Sequence, residues 1–371
     1  MVSLVVLGAV LTACGEDSST SATPEPTVNS SDCPSPDSEL AKAAKAEGSV
    51  EMVGSVSTAQ MDPVVPPAFK TRYGITVNYQ TQSGSNLTTK LAAERTANQF
   101  TLDVFTGGGD TGVNRMLKNN WIGSLKSALD PELTEASLYT VGKAPWIDDE
   151  QDRLLQISQY MNTYLLVNTN LVKDGDIKTW KDLLDPKWKG KIVTDDPRTA
   201  GAGGNDLAIL KETYGEQFVR DLYVGQKVTA MQDQKAEVDA VARGTYAIGI
   251  AMFPTFSRDA IKQGLPLKMI VPDGAPLQIL GGSGVLAISD KPPHPNAAKL
   301  LVNWLACSEG NQAFNKAAIT PSSLKSVPAP QGVWEEAPLK TGQQYFDAYS
   351  YQFLTTGKPA AQALAKAMLG S

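Results

Sequence analysis

Ser49-Val50-Glu51-Met52-Val53, Ile75-Thr76-Val77-Asn78-Tyr79 and Leu102-Asp103-Val104-Phe105 decide the fold. Each is a short β-rich run that leads into a small polar turn and then a helix-like stretch. Three such units in succession predict a parallel sheet with helices on its faces. Ligands of these sheets bind beyond the carboxyl ends of the strands. The turns there supply the first candidate contacts: Ser55, Ser57 and Thr58, then Ser83, Ser85 and Asn86, then Gly107, Gly108 and Gly109. Gly107 to Gly112 also satisfies G-x-G-x-x-G. It falls in the third unit instead of the first, and no strand ending in an acid follows about 20 residues on, so a dinucleotide site is set aside.

With 371 residues the chain is long for one core, which predicts two lobes. Leu154 to Asn168 is too long and too β-rich for an ordinary strand. It reads as a strand crossing between the lobes, with Tyr160 and Asn162 at the crossover. Lys191-Ile192-Val193-Thr194 then opens a second α/β unit, followed by Asp195-Asp196-Pro197-Arg198-Thr199-Ala200-Gly201-Ala202-Gly203-Gly204-Asn205-Asp206 and a helical stretch. A glycine-rich turn that carries an arginine and opens onto a helix N-terminus offers unpaired N–H groups and partial positive charge to an anion. Arg198, Thr199, Ala200, Gly201 and Asn205 are therefore candidates for the second wall, with Gln232, Met252 and Phe253 at its rim. Further on, Tyr246 to Ala251 and Leu267 to Pro272 read as strands. Gly284 to Ile288 reads as a strand returned to the first lobe, and Pro295 to Lys316 as one amphipathic helix.

Apolar residues make up 42% and charged residues 19% of the chain, the profile of a soluble globular protein. A net charge of −6 with no long basic block leaves a nucleic-acid partner without support. The single histidine, His294 in Pro292-Pro293-His294-Pro295, reads as a solvated turn, which removes a Ser-His-Asp triad and a histidine-rich metal site. No P-loop, G-x-S-x-G elbow or paired-cysteine motif is present, so no enzyme class or cofactor is indicated.

At the N-terminus, Met1 to Val10 is almost wholly apolar and runs into Leu11-Thr12-Ala13-Cys14. This reads as a secretory signal whose last residues resemble the lipobox of bacterial lipoproteins, with Cys14 as the acylated residue. Residues 1–13 are then signal, and 14–38, rich in Ser, Thr and Pro, a flexible tether from the membrane. An exported protein with Cys33 and Cys307 remaining permits one disulfide between them.

Leu165 to Val172, Trp180-Lys181-Asp182-Leu183 through Trp188-Lys189-Gly190-Lys191, Gly244 to Gly249 and Ala297 to Leu305 resemble the extracellular solute-binding proteins of bacterial ABC importers. Within these they look most like the cluster that includes ferric-iron-binding proteins. The resemblance implies a type II periplasmic-binding-protein fold, α/β, with two lobes of mostly parallel sheet joined by two crossover strands. Lobe 1 would comprise residues 39–158 and 278–325, and lobe 2 residues 159–277 and 326–371. It also implies a solute in the cleft, and permease and ATPase subunits as partners of a lipid-anchored monomer. Relatives of the iron cluster hold their metal with an adjacent tyrosine pair. Gly249-Ile250-Ala251-Met252-Phe253-Pro254-Thr255-Phe256 has none, so no metal site is assigned. The expected solute is small and anionic, carboxylated or phosphorylated. Ferric iron, with Tyr160, Tyr164 or Tyr223 as donors, is the alternative.

Overall fold

The computed structural model describes residue 28, residues 30–199 and residues 201–370. The signal segment, Cys14 and most of the tether lie outside the described residues. In the first sheet, β1 (Ser49–Gly54), β2 (Thr76–Thr81) and β3 (Val104–Gly107) are parallel. The crossing stretch forms three short strands instead of one: β4 (Leu155–Gln156), β5 (Tyr160–Met161) and β6 (Leu165–Asn168). Each joins a different sheet, which is why one continuous strand could not serve. The second sheet adds β7 (Ile192–Asp195), β8 (Thr229–Met231), β9 (Ile248–Ile250) and β10 (Leu267–Ile270). The chain returns through β11 (Gln278–Leu280) to β12 (Val285–Ile288) and reaches β13 (Phe346–Asp347) near its end.

The two large sheets share one plan, β2-β1-β3-β12-β4 and β8-β7-β9-β6-β10. In each, the first three strands are parallel and the fourth is antiparallel to its neighbours. That fourth strand is the one the crossover has just delivered from the other lobe. The lobes are thus related in architecture without any repeat legible in the sequence. Between them lies a three-stranded sheet, β13-β11-β5. The third strand is a departure from the expected two crossovers: the tail after residue 325 does not simply belong to lobe 2. Its Ala348, Phe353 and Leu354 are buried with Val53, Phe105 and Leu154 of the first lobe. Its last helix, Lys358–Leu369, packs on the second lobe, with Ala361 and Ala365 in that core.

Local chemistry explains the elements that frame the cleft. Ser38 caps the helix Glu39–Glu47 by accepting from the Ala41 N–H, and Gly48 ends it at φ 80°. The Pro295 stretch breaks into Pro295–Ala306 and Ser308–Ala318 because Cys307 is extended. Cys307 is disulfide-bonded to Cys33, and Asp32 accepts from both the N–H and the hydroxyl of Ser308. Gly310 permits the sharp corner, since a Cβ there would lie 1.9 Å from the Trp304 carbonyl oxygen. The C-terminal end of the predicted tether is consequently packed: Cys33 is buried and the Tyr73 hydroxyl donates to the Pro34 carbonyl at 2.9 Å.

Candidate functional site

A cavity of about 760 Å³ opens between the lobes at the carboxyl ends of the parallel strands. It brings together eight of the residues chosen from sequence: Ser55, Ser57, Gly108, Gly109, Tyr160, Gly201, Asn205 and Phe253. The others lie elsewhere. Ser83 caps the helix Gly84–Thr96 through the Asn86 N–H and meets the Ser85 hydroxyl. Thr58 begins a four-residue helix outside the lining. Gly107 is a packing residue, since a Cβ would strike the Phe105 ring at 2.3 Å. Asn162 is buried at the hinge, and Met252 is buried in an apolar cluster with Tyr164, Leu166 and Val241. Ala200 lies outside the described residues.

The arginine expected to meet the anion is already engaged. Arg198 grips Asp196 with two bonds, Nε to Oδ1 at 2.8 Å and Nη2 to Oδ2 at 2.9 Å, and its Nη1 donates to the Gly370 carbonyl. These bonds hold the Asp196 carboxyl below its usual range. Gln232 adds a longer contact to the same carboxylate, and the Thr199 hydroxyl donates to the Asp196 carbonyl. The arginine fork therefore serves an internal ion pair.

The helix N-terminus is also occupied from within. The helix begins at Ala202, earlier than its sequence predicts, and the Gly203 N–H donates to Asp195 Oδ2 at 2.8 Å. Asp195 is the anion at this helix end, held above its usual pKa by burial against the opposing pull of those N–H groups. The glycines make room for it: a Cβ at Gly201 would lie 2.3 Å from Asp195 Oδ2, and one at Gly203 only 2.0 Å from the Asp195 carbonyl oxygen.

The charge of the cavity comes from residues the sequence did not single out. Arg258, on the helix Pro254–Lys262, lines it with no hydrogen-bond or ion-pair partner among the described residues. Lys358, at the start of the last helix, donates to the Gly201 carbonyl at 3.2 Å and joins no ion pair among the described residues. Burial draws its pKa down, while Asp110 and Asp195 oppose that. Asp110 is the one carboxylate in the lining and accepts from Asn114. Arg258 stands in a patch of ordinary helix and Lys358 reaches the cleft only through the path of the tail, so neither has a local signature. Asn205, almost fully buried in the wall, has an Oδ1 with no partner.

At the floor, Tyr349 donates to the Gly282 carbonyl at 3.1 Å, and Tyr160 lies against the same glycine. Burial raises both phenols, Tyr349 to about 12 and Tyr160 further. Tyr164 and Tyr223 are buried away from the cavity lining. Among the described residues the one close group of three or more acidic, cysteine or histidine side chains is Asp32, Cys33 and Cys307, and the sulfurs of the two cysteines are joined in the disulfide. His294 is not a solvated turn residue: its Nδ1 meets Oδ2 of the fully buried Asp103 at 2.7 Å.

The family profile of the bacterial extracellular solute-binding proteins matches residues 54–312. A Haemophilus influenzae protein of uncharacterised function is 26% identical over 258 residues, 63% of this chain and 72% of that one. Among solved structures, the open ferric iron-binding protein A of Mannheimia haemolytica superposes with a TM-score of 0.69 at 15% identity, over 87% of this chain and 99% of that one. The Trichodesmium protein IdiA (FutA), in complex with iron and citrate, does so at 0.67 and 17%, over 87% and 100%. AfuA of Actinobacillus pleuropneumoniae, with fructose-6-phosphate bound, does so at 0.59 and 18%, over 86% and 98%. At such identities the superpositions show the fold, type II periplasmic binding protein with two lobes. The profile covers most of the chain, and the protein belongs to the bacterial extracellular solute-binding protein family.

Proposed function

We propose that this protein, an extracytoplasmic solute-binding component of an ABC importer, captures a small carboxylated or phosphorylated solute in the inter-lobe cleft and delivers it to the permease. One observation carries the anionic reading. Two cations, Arg258 and Lys358, line the cavity without an ion pair among the described residues, against the single carboxylate of Asp110. The protein as a whole is acidic, so a cation-rich cleft is a local feature. An anion there would accept charge-assisted hydrogen bonds from both side chains.

Both cations sit on the second lobe, while hydroxyls of Ser55, Ser57 and Thr111 line the first. A solute held by both sets has more contacts in the closed form than in the open one, and that difference is what drives closure. The Leu11-Thr12-Ala13-Cys14 sequence supports a lipid anchor, and the protein is read as a monomer. Ferric iron is supported less well. The cleft phenols are held protonated by burial, and a hard cation would enter a lining whose two cations outnumber its single carboxylate.

A thermal-shift screen of phosphorylated and carboxylated metabolites tests the reading. Stabilisation by members of these classes, lost in Arg258→Ala, supports it. Stabilisation confined to neutral or cationic solutes contradicts it.

A further inference from the structure

We propose that the solute carries an apolar body beside its anionic group, seated between Ile319 on one rim of the cleft and Phe253 and Phe256 on the other. The inference rests on the anionic reading of the same cleft and names the kind of molecule it takes. A phosphate or carboxylate group alone would leave most of a cavity of about 760 Å³ unfilled, whereas a cavity of this size suits an organic molecule.

Ile319 is the most telling residue. It ends the helix Ser308–Ala318 in the left-handed region at φ 53° and ψ 47°, where glycine or asparagine is usual and a β-branched side chain is strained. Its side chain lines the cavity and is 41% exposed, so core burial does not offset that strain. Gly332, at φ 100°, lets the tail pass close by: a Cβ there would come within 3.2 Å of Ile319 Cγ2. Across the cleft, Phe253 and Phe256 are 39% and 38% exposed in the same lining. They stand at the start of the helix that carries Arg258, which places apolar surface and cation on one element. Exposed phenyl groups that share a cavity lining with a strained, exposed isoleucine are the surface that an apolar body would cover.

Calorimetric titration of the full chain with 1-naphthyl phosphate, inorganic phosphate and 1-naphthol tests this, in the wild type, Ile319→Gly and Phe256→Ala. The expected result is that 1-naphthyl phosphate binds at least about tenfold more tightly than either fragment. Ile319→Gly, which relieves the left-handed strain, raises Tm yet weakens 1-naphthyl phosphate at least about threefold and leaves inorganic phosphate unchanged. Phosphate binding as tightly as the ester would overturn the apolar seat and leave the anionic reading standing. Naphthol binding as tightly as the ester would support the seat and overturn the anionic reading. If both variants bind the ester like the wild type, or weaken all three probes equally because the rims close on each other, the assigned seat is wrong. Binding of none of the three would overturn both readings.

Discussion

Gln278, in the middle of the hinge sheet, donates its Nε2 to Asp206 Oδ1 at 2.5 Å and to the Asn162 carbonyl at 2.9 Å. One amide thus ties the second lobe's helix to two of the segments that cross between the lobes. The carboxyl it holds is buried, and burial pushes it to about 7 from an ordinary 3.8, with Asp195 adding to the rise and Gln278 opposing it.

The pH dependence of stability follows. Asp206 and Glu237 are both raised, the latter by burial to about 8 with neither oxygen hydrogen-bonded. The fold therefore keeps protons that the unfolded chain releases near 4. Stability falls as pH rises from there to the folded values and levels off above them. Tm is expected to be higher at pH 5 than at pH 8. Asp206→Asn, which keeps the acceptor for Gln278, should raise Tm at pH 8, flatten the slope and change little at pH 4. Each pKa unit is worth about 1.4 kcal/mol, so the effect is readable by scanning calorimetry.

Arg198 and Arg258 should behave in opposite ways. Arg198→Ala leaves Asp196 without its fork and lowers stability by about 1–3 kcal/mol, with solute affinity unchanged. Arg258→Ala or Lys358→Met loses a charge-assisted bond of about 1.5–3 kcal/mol, one to two decades of affinity, with little change in Tm. Paired denaturation and binding curves for the three variants separate the roles.

Gly203→Ala tests the tight helix entry. The added methyl would overlap the Asp195 carbonyl and lie 2.9 Å from the Pro197 nitrogen, both backbone atoms that cannot swing away. A loss of roughly 2 kcal/mol or more in chemical denaturation is expected.

Reducing the Cys33–Cys307 disulfide removes the covalent tie of the segment 30–38 to the first lobe and leaves it held by the Asp32–Ser308 and Tyr73–Pro34 hydrogen bonds. A loss of about 2–5 kcal/mol is expected for Cys33→Ser, read as a lower denaturation midpoint. The bond lies away from the cleft lining, so solute affinity should stay within about twofold.

The sequence carried the fold well because it was written in local signals. Strand, polar turn and helix follow one another at Val50, Val77 and Val104, and the Trp180 to Lys191 segment carries the family likeness. The first wall of the cleft was legible in part: Ser55, Ser57, Gly108 and Gly109 follow strand ends and line the cavity, whereas Thr58, Ser83, Ser85 and Asn86 are taken up by helix starts and Gly107 by packing on Phe105. The second wall was not. Glycines and an arginine before a helix look alike whether they receive a solute or the chain's own Asp195 and Asp196, and only the fold shows those carboxylates turned inward. Arg258 and Lys358 reach the cavity through the placing of a helix and a tail. Neither placement leaves a trace in the residues next to them.

Native mass spectrometry of the freshly purified protein, with the released solute identified after denaturation, tests the central claim most directly. The expected result is a bound organic carboxylate or phosphate that is absent from Arg258→Ala and Lys358→Met and retained by Arg198→Ala. A ferric ion or a neutral solute, held equally by all three variants, would contradict it.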